Sequence, residues 1–588
     1  MKNTIFLSNT FVAAVALALL VPATAAGEDV LMQAMREELA RTMDELRMEG
    51  MDEPYFVAYT IRDNEQVSAG ASFGALLPSS TSRTRWLGVE LRVGDASFDN
   101  TNFRGMGFFG GGGSASLPLT DDVVEIRRQI WLATDDAYKN ALKQIAAKRA
   151  ALQNETRVED LGDLSPQEPY EYAEEPGAEL PRLDEVEGLV RDLSIRFRDM
   201  PHIMDSRVGA HAARGRTYYV NSEGSSFIRS DPTAFLSVTA QTQADDGAML
   251  HDFRAVHAHG WDDIANRGDL AAEVEAMGAA ISERRSASAL EDRYIGPVLF
   301  EGQAAAELTA QVLLPRLSGV RTPETERRFS ARRSGNPFLD KLGARVLPRF
   351  MYLADDATLT GNGFVGGYPV DDDGVPAQAT SLVENGILKT LLTTRNPVRG
   401  IDGSTGNRRG GGPQPSNLVM TNKRGMTREE LYDELKLLME EREAEYGIVV
   451  RRLGNPGLMP ASGFSFNIGF AGPGAGQSNV ADALVAYRFY PDGREELLRT
   501  VEFAGIADSV FKEIVAASDS NTIYTRGGSW GFASGLVMMV GGGLGLSPSS
   551  GGTVTLSVPD LLFEEMSVRN PTGNLPHPPV AEHPFFEE

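Results

Sequence analysis

Leu31, Met35, Leu39, Met43 and Leu46 recur at helical spacing among polar residues, which predicts an amphipathic helix over 29–47. The pattern then shifts to the two-residue period of strands over 55–61 and 86–93. A glycine-rich loop at 105–113 precedes a long helix over 121–153, with Ile126, Ile130, Leu142 and Ile145 on its apolar face. Residues 160–181 are acidic and contain Pro166, Pro169, Pro176 and Pro181, so they predict a solvated connection. A helix over 183–200, strands near 217–220, 225–228 and 234–240, and a helix over 269–287 complete this half.

The second half is richer in glycine and strands. Its one long helix is expected over 427–446, opened by a Thr427/Glu430 capping box. The glycine-dense stretch at 527–552, around Leu536-Val-Met-Met-Val540, implies tight turns and close backbone approach. The segment after Asn570 is rich in proline and glutamate and is expected to be extended and loosely held.

Length and composition constrain this picture. A chain of 588 residues exceeds what one hydrophobic core usually supports. The expected division is 1–26, 27–291, 292–570 and 571–588. Residues 1–26 read as a signal peptide: Lys2, an apolar run over 11–21, then Ala23-Thr24-Ala25 as the small-x-small cleavage pattern. The apolar run is short for a membrane span, and no later segment approaches the required length, so an exported, soluble protein without a membrane span is expected, periplasmic or extracellular. A formal net charge of −25 argues against nucleic acid and anionic membrane surfaces as partners. The chain contains no cysteine, which excludes disulfides, thiolate ligands and the lipid-anchored cysteine of a lipoprotein.

Generic motifs add little. Gly527-Gly-Ser529-Trp-Gly531 fits the nucleophile elbow, but glycine abundance makes a chance match unsurprising. Gly361-Asn-Gly363-Phe-Val-Gly366 lacks the strand–turn–helix context of a dinucleotide loop. His251, His257 and His259 form the one histidine cluster, and His257-x-His259 has metal-ligand spacing on a strand. Glu301 and Glu307, six residues apart, would be separated by a turn of about 240° around a helix and so lie on different faces, and solvated or capping roles are expected for them rather than a joint acid–base site.

Several ordered motifs carry a family resemblance. They are Gly366-Gly-Tyr-Pro-Val-Asp-Asp-Asp-Gly-Val-Pro-Ala-Gln378, Leu382-Val-Glu-Asn-Gly-Ile-Leu-Lys389, Gly403-Ser-Thr-Gly-Asn-Arg-Arg409, Val419-Met-Thr-Asn422 and, earlier, Val220-Asn-Ser-Glu-Gly224. Together they resemble the TldD/PmbA family of TldD/TldE proteases, also named modulators of DNA gyrase. The resemblance implies a two-domain α+β fold, with a mixed α/β N-terminal half and a β-rich C-terminal half, and a dimer acting on peptides. In TldD-type subunits a His-Glu-x-x-x-His helix and a later cysteine hold zinc, and the glutamate activates water.

This sequence departs from that pattern. The motif falls either on Glu301-Gly-Gln-Ala-Ala-Ala306 or on Gln303-Ala-Ala-Ala-Glu-Leu308, so Glu301, Gln303, Ala304, Glu307 and Leu308 mark a degenerate site. No histidine occurs from Gly260 to Pro576. The departure implies a TldE-like subunit without a cofactor of its own, with zinc only in a TldD-like partner. Its partners would be that metalloprotease subunit or a second copy, and a peptide substrate. Asn407, Arg408 and Arg409 are the expected substrate-side residues, the two arginines suited to clamping a carboxylate. A peptidase with a non-standard site and a stand-alone envelope peptide-binding protein are the competing readings.

Overall fold

The computed structural model describes residues 29–104, 113–153, 161–325, 336–458, 480–527 and 553–571, with His577, Pro579, His583 and Phe585. The signal-like segment, nearly all of the glycine-rich loop, and the serine motif with the apolar stretch after it lie outside the described residues.

A nine-stranded sheet organises the first half. Its main strands are β1 (Pro54–Ser72), β2 (Ser80–Asp95), β3 (Asp205–Asn221), β4 (Ser226–Gln243) and β5 (Met249–Ala258), in the order β5-β4-β3-β1-β2. The strands run well beyond their apolar stretches. Through the polar middle of β1, cross-strand ion pairs replace apolar contacts: Asp63 with Arg83 and Arg85, and Glu65 with Arg214. Helices α1 (Val30–Glu45) and α2 (Val123–Leu152) cover one part of a face, packing on Tyr59, Ile61, Leu87, Val89 and Tyr218. Helices α3 (Leu183–Ser194) and α4 (Leu270–Glu283) cover the rest, over the small residues Ala69, Ala71 and Ala210. The helix starts follow local chemistry: Asp29 and Asp122 accept hydrogen bonds from first-turn amides of α1 and α2.

A twelve-stranded sheet organises the second half. Its centre is β6 (Tyr294–Phe300), followed directly by the short helix α5 (Gln303–Leu308). Further members are β7 (Met351–Asp356), β8 (Ala379–Glu384), β9 (Asn417–Asn422), β10 (Gly447–Leu453), β11 (Ala483–Phe489), β12 (Glu495–Leu498), β13 (Ile514–Arg526) and β14 (Val554–Arg569). The order is β8-β7-β9-β14-β6-β10-β11-β12, with β13 alongside β14. One large apolar cluster includes Phe300, Leu382, Leu556 and Phe563. Helix α6 (Arg428–Glu441) starts at the expected Thr427/Glu430 capping box. Helices and strands are thus mixed as an α+β fold requires.

Two expectations change. The acidic, proline-rich connection is part of the packed structure: Glu171–Ala173 pairs in parallel with Ser226–Ile228, and Asp163 is fully buried. Its charge is met by Lys148 Nζ at 2.6 Å and Arg321 at 3.2 Å. The segment after β14 also makes contacts: the rings of His583 and Phe585 lie 5.6 and 5.4 Å from that of Phe73. Among the described residues, no helix is long and apolar enough to cross a membrane.

The two sheets meet through buried charge. Asp372 accepts from Arg62 at 2.9 Å and Arg229 at 3.0 Å, both on the first sheet, and from the Gly410 amide at 2.8 Å. Arg408 joins Glu90 of β2 to Asp373. Arg395 reaches Glu223 at 2.6 Å and the Ser165 carbonyl. A small apolar cluster of Phe56, Ala58, Leu164, Tyr219, Phe227 and Val370 lies within this seam.

Candidate functional site around the helix after β6

The chain leaves β6 at Glu301 and turns into α5 through Gly302, whose φ of +54° belongs to the region that favours glycine. The Gly302 amide donates to Asp560 at 2.7 Å. A π-helical turn, Thr309–Leu313, follows α5 at once, an irregularity common at functional sites.

The degenerate motif residues divide sharply by role. Ala304 and Leu308 are fully buried in the apolar core. Gln303 ties the helix to the end of β10, donating to the Leu453 carbonyl at 3.1 Å and accepting from its amide at 2.9 Å. Glu307 is fully buried: it accepts from Tyr524 Oη at 2.5 Å and Gln311 Nε2 at 2.8 Å, while the Arg526 guanidinium lies 4.0 Å away. Asn455 donates to the same tyrosine oxygen at 3.3 Å.

Glu301 lies outside the helix. It is 8% exposed and is held by Arg428 at 2.9 Å, Arg451 at 2.8 Å and the Tyr432 hydroxyl at 3.2 Å. The expectation of solvated or capping glutamates is therefore corrected. Both are buried because β10, β13 and α6 close over α5, which the sequence spacing of 301 and 307 does not reveal. Glu301 precedes the helix, so the angular argument does not apply to it, whereas Glu307 lies on α5 and bonds to Tyr524 of β13.

Burial pushes the Glu307 carboxyl above its ordinary range, and Arg526, Tyr524 and Gln311 only partly oppose this. A carboxyl raised by folding contributes stability below its unfolded value of 4.5, and that contribution is lost as pH rises through the folded value. A Glu307→Gln variant is accordingly expected to be less stable than the parent near pH 4, with the gap closing toward pH 8. Urea midpoints across that range measure it; a gap that widens with pH would mean that Arg526 holds the carboxylate ionised.

The histidine cluster is not assembled. His251 and His257 lie on β5, separated by six residues of strand or about 20 Å, and His259 is beyond the strand end. Among the described residues, no group of three or more His, Asp or Glu side chains converges as a metal site. Instead the His257 ring packs 4.5 Å from Phe235, and burial pushes it down to about 4. His251 is also pushed down to about 4, by burial and then by Arg284.

Asn407 is buried and donates to Asp355 at 2.8 Å. Arg408 is engaged by Glu90 and Asp373, so a free carboxylate would have to compete with both. Arg409 stacks 4.9 Å over Tyr368 and donates to the Gly366 and Thr553 carbonyls. Of the three, Arg408 alone bonds across the seam, to Glu90, while Asn407 and Arg409 bond within the second half, and α5 with its network forms a separate locus. Sequence reading missed Gln311, Tyr524 and Arg526. The signal for the first was the polar stripe Gln303, Glu307, Gln311 at helical spacing through an otherwise apolar segment.

Residues 292–473 match the family model of the PmbA/TldA metallopeptidase C-terminal domain. A metalloprotease of Methanocaldococcus jannaschii is 37% identical over 116 residues, which are 19% of this chain and 25% of that protein. A metalloprotease of Archaeoglobus fulgidus is 35% identical over 128 residues, 22% of this chain and 28% of that one. The chain thus spans about a quarter of the length of these relatives. Among solved structures, TldE from Thermococcus kodakarensis aligns over 92% of this chain and all of its own, with a TM-score of 0.55 and 16% identity. A Thermotoga maritima protein whose name links it to DNA gyrase modulation aligns over 91% of this chain and 99% of its own, with a TM-score of 0.55 and 15% identity. At such identities these two speak for the fold.

Proposed function

Because this chain belongs to the TldD/PmbA family, we propose that it is an exported, metallopeptidase-related subunit that does not cleave peptides itself. It pairs with a zinc-bearing TldD-like subunit and completes the chamber in which that partner cleaves peptides. The observation carrying this reading is the side-chain set of α5. Gln303 is spent on the backbone of Leu453, Ala304 and Leu308 are core residues, and Glu307 is bonded inward. Zinc in a peptidase is held by imidazole, thiolate or carboxylate donors around an open position. One buried carboxylate beside an amide, a methyl and an isobutyl group does not fit zinc, so no hydrolytic step is assigned to this chain. An extended peptide would be held by backbone pairing at a sheet edge.

The test is co-expression of the full chain with a family member from the same genome that carries His-Glu-x-x-x-His. The expected result is co-purification, with zinc in the partner and faster peptide cleavage by the pair than by the partner alone. Stoichiometric zinc in this chain purified by itself, or failure of the two to associate, would overturn the reading. Peptide cleavage by this chain alone after chelation would favour a non-standard peptidase.

A further inference from the structure

The hairpin that joins β1 to its short partner strand ends at Phe73 and Gly74. Phe73 adopts a φ of +48°, unusual for a residue with a side chain, and its ring borders the apolar cluster under α3 and α4. The turn is held from behind: the Gly74 amide donates to Ser194 Oγ at 3.0 Å, and Ile195 packs against Gly74. One side of the Phe73 ring is then left for another partner.

That partner comes from the far end of the chain. His583 and Phe585 approach Phe73 at 5.6 and 5.4 Å, the latter edge-on, and their own rings are 5.1 Å apart. The Arg198 guanidinium lies 5.3 Å over Phe585, so the ring meets an aromatic edge and a cation together. Phe585 is nonetheless 47% exposed. The contact is specific in chemistry and shallow in depth, as in a reversible docked peptide rather than a core element. The last strand ends at Arg569, in the other sheet, where Asn570 bonds the Leu290 backbone. The docked residues therefore cross from one half of the molecule to the other.

We propose that Phe73 and Arg198 form a docking surface for an aromatic peptide side chain, which this chain fills with its own His583 and Phe585. The occupant is intramolecular, and its seating fastens the β1 hairpin and the 3-10 turn Ile195–Asp199 to the second half. Its release frees a site for another aromatic peptide segment of the same chemistry.

The experiment uses the full chain and its Phe585→Ala variant, which removes only a half-exposed ring. Hydrogen exchange of amides 70–78 and 195–199 is followed, and a labelled synthetic peptide spanning 577–588 is titrated into both proteins. Exchange in those two segments is expected to be about 10-fold faster in the variant, the effect of losing a ring pair and a cation–π contact together. The peptide should bind the variant on the order of 10-fold more tightly than the parent and restore protection, because the parent's own segment competes. Arg198→Gln in the Phe585→Ala background should weaken peptide binding. Unchanged exchange in the Phe585→Ala variant, equal peptide affinity for the two proteins, or no binding at millimolar peptide would overturn the proposal.

Discussion

Asp372→Asn is expected to cost about 3–5 kcal/mol of stability, the range for removing one partner from a buried ion pair. The carboxylate is 8% exposed and faces Arg229, itself only 6% exposed, together with Arg62. With the charge gone, Arg229 keeps Asp231 and the Val370 carbonyl but loses the link that balances it across the seam. Because Arg62 and Arg229 belong to the first sheet and Asp372 to a turn of the second half, the loss should uncouple the halves. Calorimetry is expected to show a transition lowered by several degrees and broadened or split. A single unshifted transition would contradict it.

The pH dependence follows with a definite sign. Burial by itself would raise the Asp372 carboxyl, but Arg229, Arg62 and the Gly410 amide more than offset this and hold it well below the ordinary 3.8. Burial likewise opposes ionisation of Glu90, yet Arg408 and Arg92 hold it down to about 2. A depressed carboxyl contributes stability above its unfolded value, and the contribution is lost as pH falls through the folded one. The parent should therefore weaken steeply from about pH 4 downward. Asp372→Asn should flatten that limb.

Asp163→Asn is the second large effect, again about 3–5 kcal/mol. Lys148 and Asp163 are both fully buried, and Arg321, 4% exposed, shares the carboxylate. Asparagine can still accept from the Asp99 amide, which bonds Asp163 Oδ2 at 2.9 Å, but it leaves two buried cations facing a neutral group. Removing one of those cations as well should recover part of the loss. In a Lys148→Met/Asp163→Asn double variant the two costs are expected to fall short of additivity by roughly 0.5–3 kcal/mol in denaturant midpoints. Strict additivity would mean that the two residues do not act as a pair.

Asp163 also shows where sequence reading fails. Its neighbourhood has the acids and prolines of a solvated linker, and local composition carries no information about a lysine 15 residues earlier or an arginine 158 residues later. The same limit explains Glu301 and Glu307. Their spacing reads as two positions on one helix, whereas Glu301 precedes α5. Their burial depends on Arg451, Tyr432, Tyr524 and Gln311, most of them distant in sequence. For the histidines, spacing along a strand is no guide to convergence in space: His251 and His257 lie about 20 Å apart on β5.

What the sequence determined by itself is whatever rests on short-range chemistry or on residue identity. The capping box that starts α6, the alternation of the sheet strands and the family motifs between 366 and 422 were all legible. So was the lack of imidazole and thiolate donors where a zinc helix would need them. The tertiary structure alone decided how charges are neutralised: which acids are buried at the seam, that Arg408 is held by Glu90 and Asp373, and that Phe585 returns to Phe73. The physical reason is that capping and alternation act within a few residues, whereas desolvation depends on every element that closes over a group.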